Sequence, residues 1–139
     1  MKLTSKGRYA VMAMADLALN QNDKPISLID ISVRQNISLS YLEQLFLKLK
    51  NQKLVRSTRG SYGGYFLEKN PKDIKISNII SAVDEEIKTL KCKRESKKGC
   101  NSKNTKCITH NLWDDLEKHI NNFFENVSLN DLVEKKNKY

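Results

Sequence analysis

A mainly α-helical chain with a small two-stranded β wing is the fold class this sequence predicts, and three observations lead to it. Apolar residues recur at helical spacing along several stretches, most clearly at Leu42, Leu45, Phe46 and Leu49, which is the pattern of a helix with one buried face. Strand-like composition is confined to residues 54–58 and 65–67, with Arg59-Gly60-Ser61-Tyr62-Gly63-Gly64 between them, and those glycines permit the tight turn of a hairpin. Towards the end, Trp113, Leu116, Ile120, Phe123 and Val127 advance by alternating steps of three and four, the seam of a long helix that packs against another helix.

In chain order, Thr4 or Ser5 can cap a first helix running to about Leu19. Val11, Met14, Ala15 and Ala18 trace one apolar stripe on it and Ala10, Ala13 and Leu17 a second, so it is expected to be covered on two sides. The polar run Asn20 to Pro25 ends it. Ser27, with Asp30 three residues on, resembles a capping box for a short second helix that carries Leu28, Ile31 and Ile29 inward and stops at Gln35-Asn36. Ser38 then caps a third helix. The result is helix, short turn, helix: the spacing of a helix-turn-helix whose second member is the amphipathic segment above.

With Leu42, Leu45, Phe46 and Leu49 turned inward, the side chains on the other side of that helix are Ser40, Glu43, Gln44, Leu47 and Lys48. This set offers donors, acceptors and one apolar tip, which can read base edges in a major groove; an ordinary surface helix and hairpin is the alternative. The hairpin after it carries Arg59 at its tip, and an arginine there suits a narrow, electronegative minor groove. Beyond the hairpin, Asn70-Pro71-Lys72-Asp73 is a turn and Ser77 opens a short helix with Ile76, Ile79, Ile80 and Val83 inward. Asp84-Glu85-Glu86 closes the unit. Ser128-Leu129-Asn130-Asp131-Leu132-Val133 has the form of a capped final turn.

The expected organisation is therefore a winged helix-turn-helix domain over 1–86, a cysteine-bearing loop over 87–110, a dimerisation helix and final turn over 111–133, and a tail over 134–139. A seam such as that of residues 113–127, attached to a small winged domain, is expected to pair with its own copy. Two-fold pairing then implies a two-fold DNA site.

Charge agrees with a polyanionic partner. The 139 residues include 25 Lys and Arg against 16 Asp and Glu, a formal net charge of +9, which favours a polyanion such as double-stranded DNA through counterion release, and which an anionic membrane surface would satisfy equally. Lys2, Lys6, Arg8 and Asp16 interrupt the first twenty residues, so no signal-peptide core forms there, and no run is long enough to span a bilayer. The expected location is the cytoplasm, without a membrane partner. An enzyme is not expected: His110 and His119 are the only histidines, and no nucleophile-base, phosphate-loop or paired-carboxylate arrangement stands out.

Cys92, Cys100, Cys107 and His110 form a C-x7-C-x6-C-x2-H arrangement within a lysine-rich stretch. Three thiolates and an imidazole can complete a tetrahedral zinc site or ligate a [2Fe-2S] cluster, and spacing alone leaves both open. The odd cysteine count argues against a disulfide framework. Cys107 and His110, three apart at the start of the long helix, can project from one helical face. An iron-sulfur or zinc carrier with an incidental basic surface is the rival reading.

MKLTSKGRYAVMAMADLAL, ISLSYLEQLFLKLKNQKLVRSTRG and GGYFL resemble the first helix, recognition helix and wing of the Rrf2 family of winged-helix regulators, and within it the regulators that hold an iron-sulfur cluster. The resemblance runs from Met1 to about Val133. It implies a dimeric transcription regulator, a repressor among its expected forms, with a [2Fe-2S] cluster held by Cys92, Cys100, Cys107 and His110. It further implies control of iron-sulfur cluster biogenesis genes and RNA polymerase at promoters as a second partner; nitric oxide- or iron-sensing relatives share the winged domain. Ser40, Glu43 and Gln44 are implied in the major groove, Arg59 in the minor groove, and Ser38, Tyr41 and nearby lysines such as Lys48 on phosphates. The chain departs from the family pattern in its longer cysteine spacers, in Ser61-Tyr62 where the glycine run usually has a proline, and in the apolar Leu47, which can meet a thymine methyl.

Overall fold

The computed structural model describes residues 4–84 and 107–134. Along the chain run α1 (Ser5–Asn20), α2 (Leu28–Gln35), α3 (Leu39–Asn51), β1 (Val55–Thr58), β2 (Gly64–Leu67), a single 3-10 turn (Pro71–Asp73), α4 (Ile76–Ala82), α5 (His110–Glu125) and α6 (Leu129–Glu134).

The first helix is the central post. Ala10, Ala13, Met14 and Leu17 are fully buried and Val11, Ala15 and Ala18 pack beside them, because α2, α3, α4, α6 and β2 all pack on α1. Both expected stripes are thus covered. Thr4 occupies the cap position without a side-chain cap hydrogen bond.

Local capping chemistry sets the helix-turn-helix. Ser27 Oγ accepts from the Asp30 N–H at 3.1 Å, and Ser38 Oγ accepts from the Tyr41 N–H at 3.2 Å, each satisfying a donor the first helical turn would otherwise leave open. Between them Asn36 takes the left-handed conformation at φ 54°, which asparagine tolerates better than most residues. Only Ile31 of α2 is fully buried; Ile29 is 61% exposed, against the expectation that it turns inward, because at eight residues α2 has one narrow inner face and Ile31 fills it.

A polar latch joins α1 to α2. Asp16, in the second half of α1, is buried, and its carboxylate accepts from Arg34 Nη2 at 2.8 Å, Arg34 Nε at 3.0 Å and Gln35 Nε2 at 2.8 Å. This fork-to-fork geometry fixes the angle at which α2 leaves α1.

The wing is an antiparallel pair in the register Val55↔Leu67, Arg56↔Phe66, Ser57↔Tyr65 and Thr58↔Gly64. Ile26, just before α2, adds a bridge to it: the Ile26 N–H donates to Tyr65 O at 3.0 Å and the Tyr65 N–H to Ile26 O at 2.8 Å. A Cβ at Gly64 would fall 2.5 Å from Ile26 O, so only glycine admits this approach. The wing is therefore tied to the start of the helix-turn-helix.

At the far end, the Ile76 N–H donates to Val127 O at 2.9 Å and the Leu129 N–H to Ile74 O at 2.8 Å. Reciprocal bonds between Ser128 and Asp131, at 2.9 and 3.2 Å, cap α6. Val127 and Leu129 thereby join the same core as α1 and α4. The fourth helix starts one residue before Ser77, with Asn78 Oδ1 accepting from the Lys75 N–H at 3.0 Å.

The long helix α5 packs on α4 through a face rotated from the expected seam. Ile120 and Phe124 lie half-buried against the core and Glu117 is buried, whereas Leu112, Trp113 and Phe123 are 59%, 40% and 51% exposed. The expected stripe is split lengthwise, its inner edge used within the chain and its outer edge left to solvent.

Candidate nucleic-acid interface

The outer face of α3 holds the residues expected to meet DNA. Ser40, Glu43 and Gln44 are exposed, Leu47 is 60% exposed and Lys48 half-exposed, while Leu42, Leu45, Phe46 and Leu49 anchor the opposite side. Ser38 sits at the N-cap, where its Oγ is 3.5 Å from Ser40 Oγ. Tyr41 is half-buried and meets the Tyr9 ring edge-on with centroids 5.8 Å apart, which orients its ring at the α1–α3 junction.

The wing packs on α3 through aromatic rings. Tyr65 of β2 packs edge-to-face on Phe46 at 4.9 Å. Burial pushes its hydroxyl pKa up, and the nearby charge of Glu43 adds to the push. On the flank, the Arg56 guanidinium lies 4.7 Å over the Phe66 ring and 3.8 Å from Glu68. Arg59 stands exposed at the tip, beside a turn closed by the Gly63 N–H donating to Gly60 O at 2.9 Å.

Lys48 is not simply free on this face. Its Nζ is 3.0 Å from Asp84 Oδ2. Asp84 takes a left-handed φ of 58° just after α4. Sequence reasoning missed this pairing, since Asp84 read only as part of an acidic helix end, and nothing local marks a partner thirty-six residues away.

Of the expected metal ligands, Cys92 and Cys100 lie outside the described residues. Cys107 is exposed, with Sγ 3.8 Å from Thr109 Oγ1, and His110 is buried. The helix begins at His110, not at Cys107: Thr109 holds the cap position, and the Trp113 N–H donates to Thr109 O at 3.2 Å. The His110 N–H donates to Cys107 O at 3.0 Å, so the two share one turn but not one helical face. His119 is exposed in mid-helix. Among the described residues no three His, Cys, Asp or Glu side chains gather as a metal site, and none of their helices is long and apolar enough to cross a membrane.

A helix-turn-helix whose second helix keeps most of its polar face exposed, flanked by a hairpin braced against it, defines a winged helix-turn-helix protein. The family model for Rrf2, an iron-dependent transcriptional regulator, matches residues 3–135. The HTH-type transcriptional regulator IscR of Aliivibrio salmonicida is 53% identical over 133 residues, covering 96% of this chain and 77% of that protein. The IscR of Pectobacterium atrosepticum is 51% identical over 137 residues, 98% and 81% of the two chains. Among solved structures, IscR of T. potens superposes with a TM-score of 0.77 at 33% identity, covering 99% of this chain and 90% of that one. CymR, the global cysteine regulator of B. subtilis, gives 0.79 at 30% identity over 96% and 97%. This chain belongs to the Rrf2 family. It is a DNA-binding transcription regulator and not an enzyme.

Proposed function

We propose that this regulator acts as a sequence-specific homodimer, laying one α3 in each of two neighbouring major grooves, and that a [2Fe-2S] cluster sets its operator preference. The observation that carries the reading is the exposed outer face of α3, with Ser40, Glu43, Gln44 and Leu47 open to solvent. In this arrangement Ser40, Glu43 and Gln44 meet base edges, Ser38, Tyr41 and Lys48 meet phosphates, and Arg59 enters the minor groove. Glu43 acts as a filter, because a carboxylate accepts from cytosine N4 and is repelled by acceptor-bearing edges. The large apolar side chains that α5 leaves to solvent, Leu112, Trp113 and Phe123, support pairing with a second copy, since exposed apolar surface marks interaction sites. Residues 1–86 would then form the DNA-binding unit, 87–110 the cluster-binding loop and 111–133 the dimer contact.

Cys92, Cys100, Cys107 and His110 would hold the cluster, a donor set of thiolates and imidazole that such centres accept; the exposed Cys107 thiol and its shared turn with His110 agree with that. When bound, the cluster supplies a redox-sensitive iron centre. What the chain itself contributes is a link: Asp84 adjoins this stretch and holds Lys48 of α3, so a change in the position of Asp84 changes the charge α3 offers to phosphate. Shifting operator preference tenfold needs only about 1.4 kcal/mol. The expected setting is the cytoplasm, with promoters of iron-sulfur cluster biogenesis genes as targets, repression as one outcome and RNA polymerase as a further partner.

The test is anaerobic purification with absorbance, iron, sulfide and zinc analysis, before and after titration with promoter DNA. Iron and sulfide in equal amounts with visible bands support the reading; zinc alone would replace the cluster. Cys92→Ala should remove the visible bands and leave a folded dimer. Phe123→Asp should shift the protein to monomer in sedimentation and weaken binding to a two-fold site at least about tenfold, as loss of linked half-sites requires; a dimer unaffected by the charge would move the interface elsewhere.

A further inference from the structure

One ring in the wing has no role so far. Tyr65 packs on Phe46 and Phe66 lies under Arg56, but Tyr62, at the tip, is 89% exposed. Among the described residues no hydrogen bond or ring contact engages its side chain. Its backbone, by contrast, is tightly held. Gly60 sits at φ 110°, and the Gly63 N–H closes the turn onto Gly60 O at 2.9 Å. A Cβ on Gly63 would fall 2.8 Å from Thr58 O and 2.9 Å from Gly60 O. The turn is wrapped closely around its own carbonyls, so Ser61 and Tyr62 are carried outward as its two central residues, within three positions of Arg59.

We propose that Tyr62 is a second minor-groove contact, its ring packing on the deoxyribose wall beside Arg59 and its hydroxyl donating to an acceptor on the groove floor. This rests on the DNA-binding reading above and adds a residue to it. The chemistry fits the groove on three counts. The minor groove is about 6 Å wide, room for an aromatic ring entering edge-on. Its walls are sugar C–H groups, which suit an apolar ring face, and its floor at A·T pairs presents adenine N3 and thymine O2, both acceptors. A tyrosine fixes only two side-chain torsions on docking, so little entropy opposes the contact. Guanine N2 projects an amine into the same space; Tyr62 therefore favours A·T at the step it covers. Arg59 supplies attraction and Tyr62 supplies choice.

The experiment begins with selection of duplexes from a random library by the full wild-type chain. Affinity for a selected 30-base-pair duplex is then measured as a function of salt for the wild type, Tyr62→Ala, Tyr62→Phe and Arg59→Ala. A companion duplex carries diaminopurine·T in place of A·T beneath the wing, adding the minor-groove amine while leaving the major-groove edge as in A·T. Tyr62→Ala should weaken binding about tenfold and Tyr62→Phe about threefold, both without changing the salt slope, and both should lose discrimination against diaminopurine. Arg59→Ala should instead lower the slope by about one. A Tyr62→Ala protein that binds and discriminates like the wild type overturns the proposal. So does one whose slope falls as in Arg59→Ala, which would mean that Tyr62 only shapes the turn for the arginine. Failure of the wild type to enrich any sequence would bring down the sequence-specific reading itself, and this inference with it.

Discussion

Asp16 with Arg34 joins α1 to α2, and Lys48 with Asp84 joins α3 to the end of the winged unit; both are opposite-charge pairs of similar length, 2.8 and 3.0 Å. Their surroundings differ. The Asp16 side chain is 1% exposed and receives Gln35 as well as both arms of the guanidinium. The Asp84 side chain is 74% exposed and holds a single ammonium. A buried carboxylate so surrounded cannot exchange its partners for water without the loss of packing between two helices. An exposed one exchanges readily, and a phosphate oxygen can take its place. The first pair sets the shape of the helix-turn-helix; the second leaves part of its charge available.

The largest expected effect separates the two on stability. Asp16→Ala should cost about 2–3 kcal/mol in denaturant unfolding, below the full value for a buried ion pair because Arg34 still reaches water. A loss under about 0.5 kcal/mol would show that the latch is no stronger than a surface pair. The pH dependence has a definite sign. Burial pushes the Asp16 pKa up, but hydrogen bonds from Arg34 and Gln35 and the guanidinium charge more than reverse the push, leaving it below its ordinary value of 3.8. A carboxyl depressed in the folded state contributes stability above its unfolded pKa and loses that contribution as pH falls through the folded value. The gap between wild type and Asp16→Ala should therefore be constant from neutrality to about pH 5 and narrow as pH falls past 3.8.

A smaller change tests the geometry of the latch. Arg34→Lys keeps the charge but loses the fork, and should cost about 1 kcal/mol. If it cost nothing, the two-armed contact would be incidental and the ammonium sufficient.

What the sequence revealed of this arrangement follows the range of the interactions. Ser27 with Asp30 and Ser38 with Tyr41 are caps between neighbours, and Leu42, Leu45, Phe46 and Leu49 repeat on one helix, so both turn and recognition helix could be read directly. Asp16 could not: in an alanine-rich helix it looks like an interruption, and its partners lie 18 and 19 residues on. The Ile26–Tyr65 bridge was hidden for the same reason, since only the absent Cβ of Gly64 permits it. For α5 the periodicity was legible but its orientation was not, because which edge of the seam turns inward is decided only by the placement of the helix on α4. Of the expected ligands, the turn shared by Cys107 and His110 was visible as close spacing, but the helix start between them depended on Thr109.

The smallest expected effect on stability carries the most information about binding. Asparagine is isosteric with aspartate and sits comfortably at a left-handed φ such as the 58° of Asp84, so Asp84→Asn removes the charge without new backbone strain. Unfolding stability should move by less than about 0.5 kcal/mol, unlike the response to Asp16→Ala. Binding to random duplex should nonetheless tighten about two- to threefold at low salt, with the salt slope steeper by up to about one, because Lys48 then answers to phosphate alone. The gain should vanish in Lys48→Met/Asp84→Asn, where no ammonium is left to release. If Asp84→Asn left both affinity and slope unchanged, the carboxylate would not be competing for Lys48 at all, and the contrast between a pair that holds the fold and a pair that can be traded would reduce to a difference in burial.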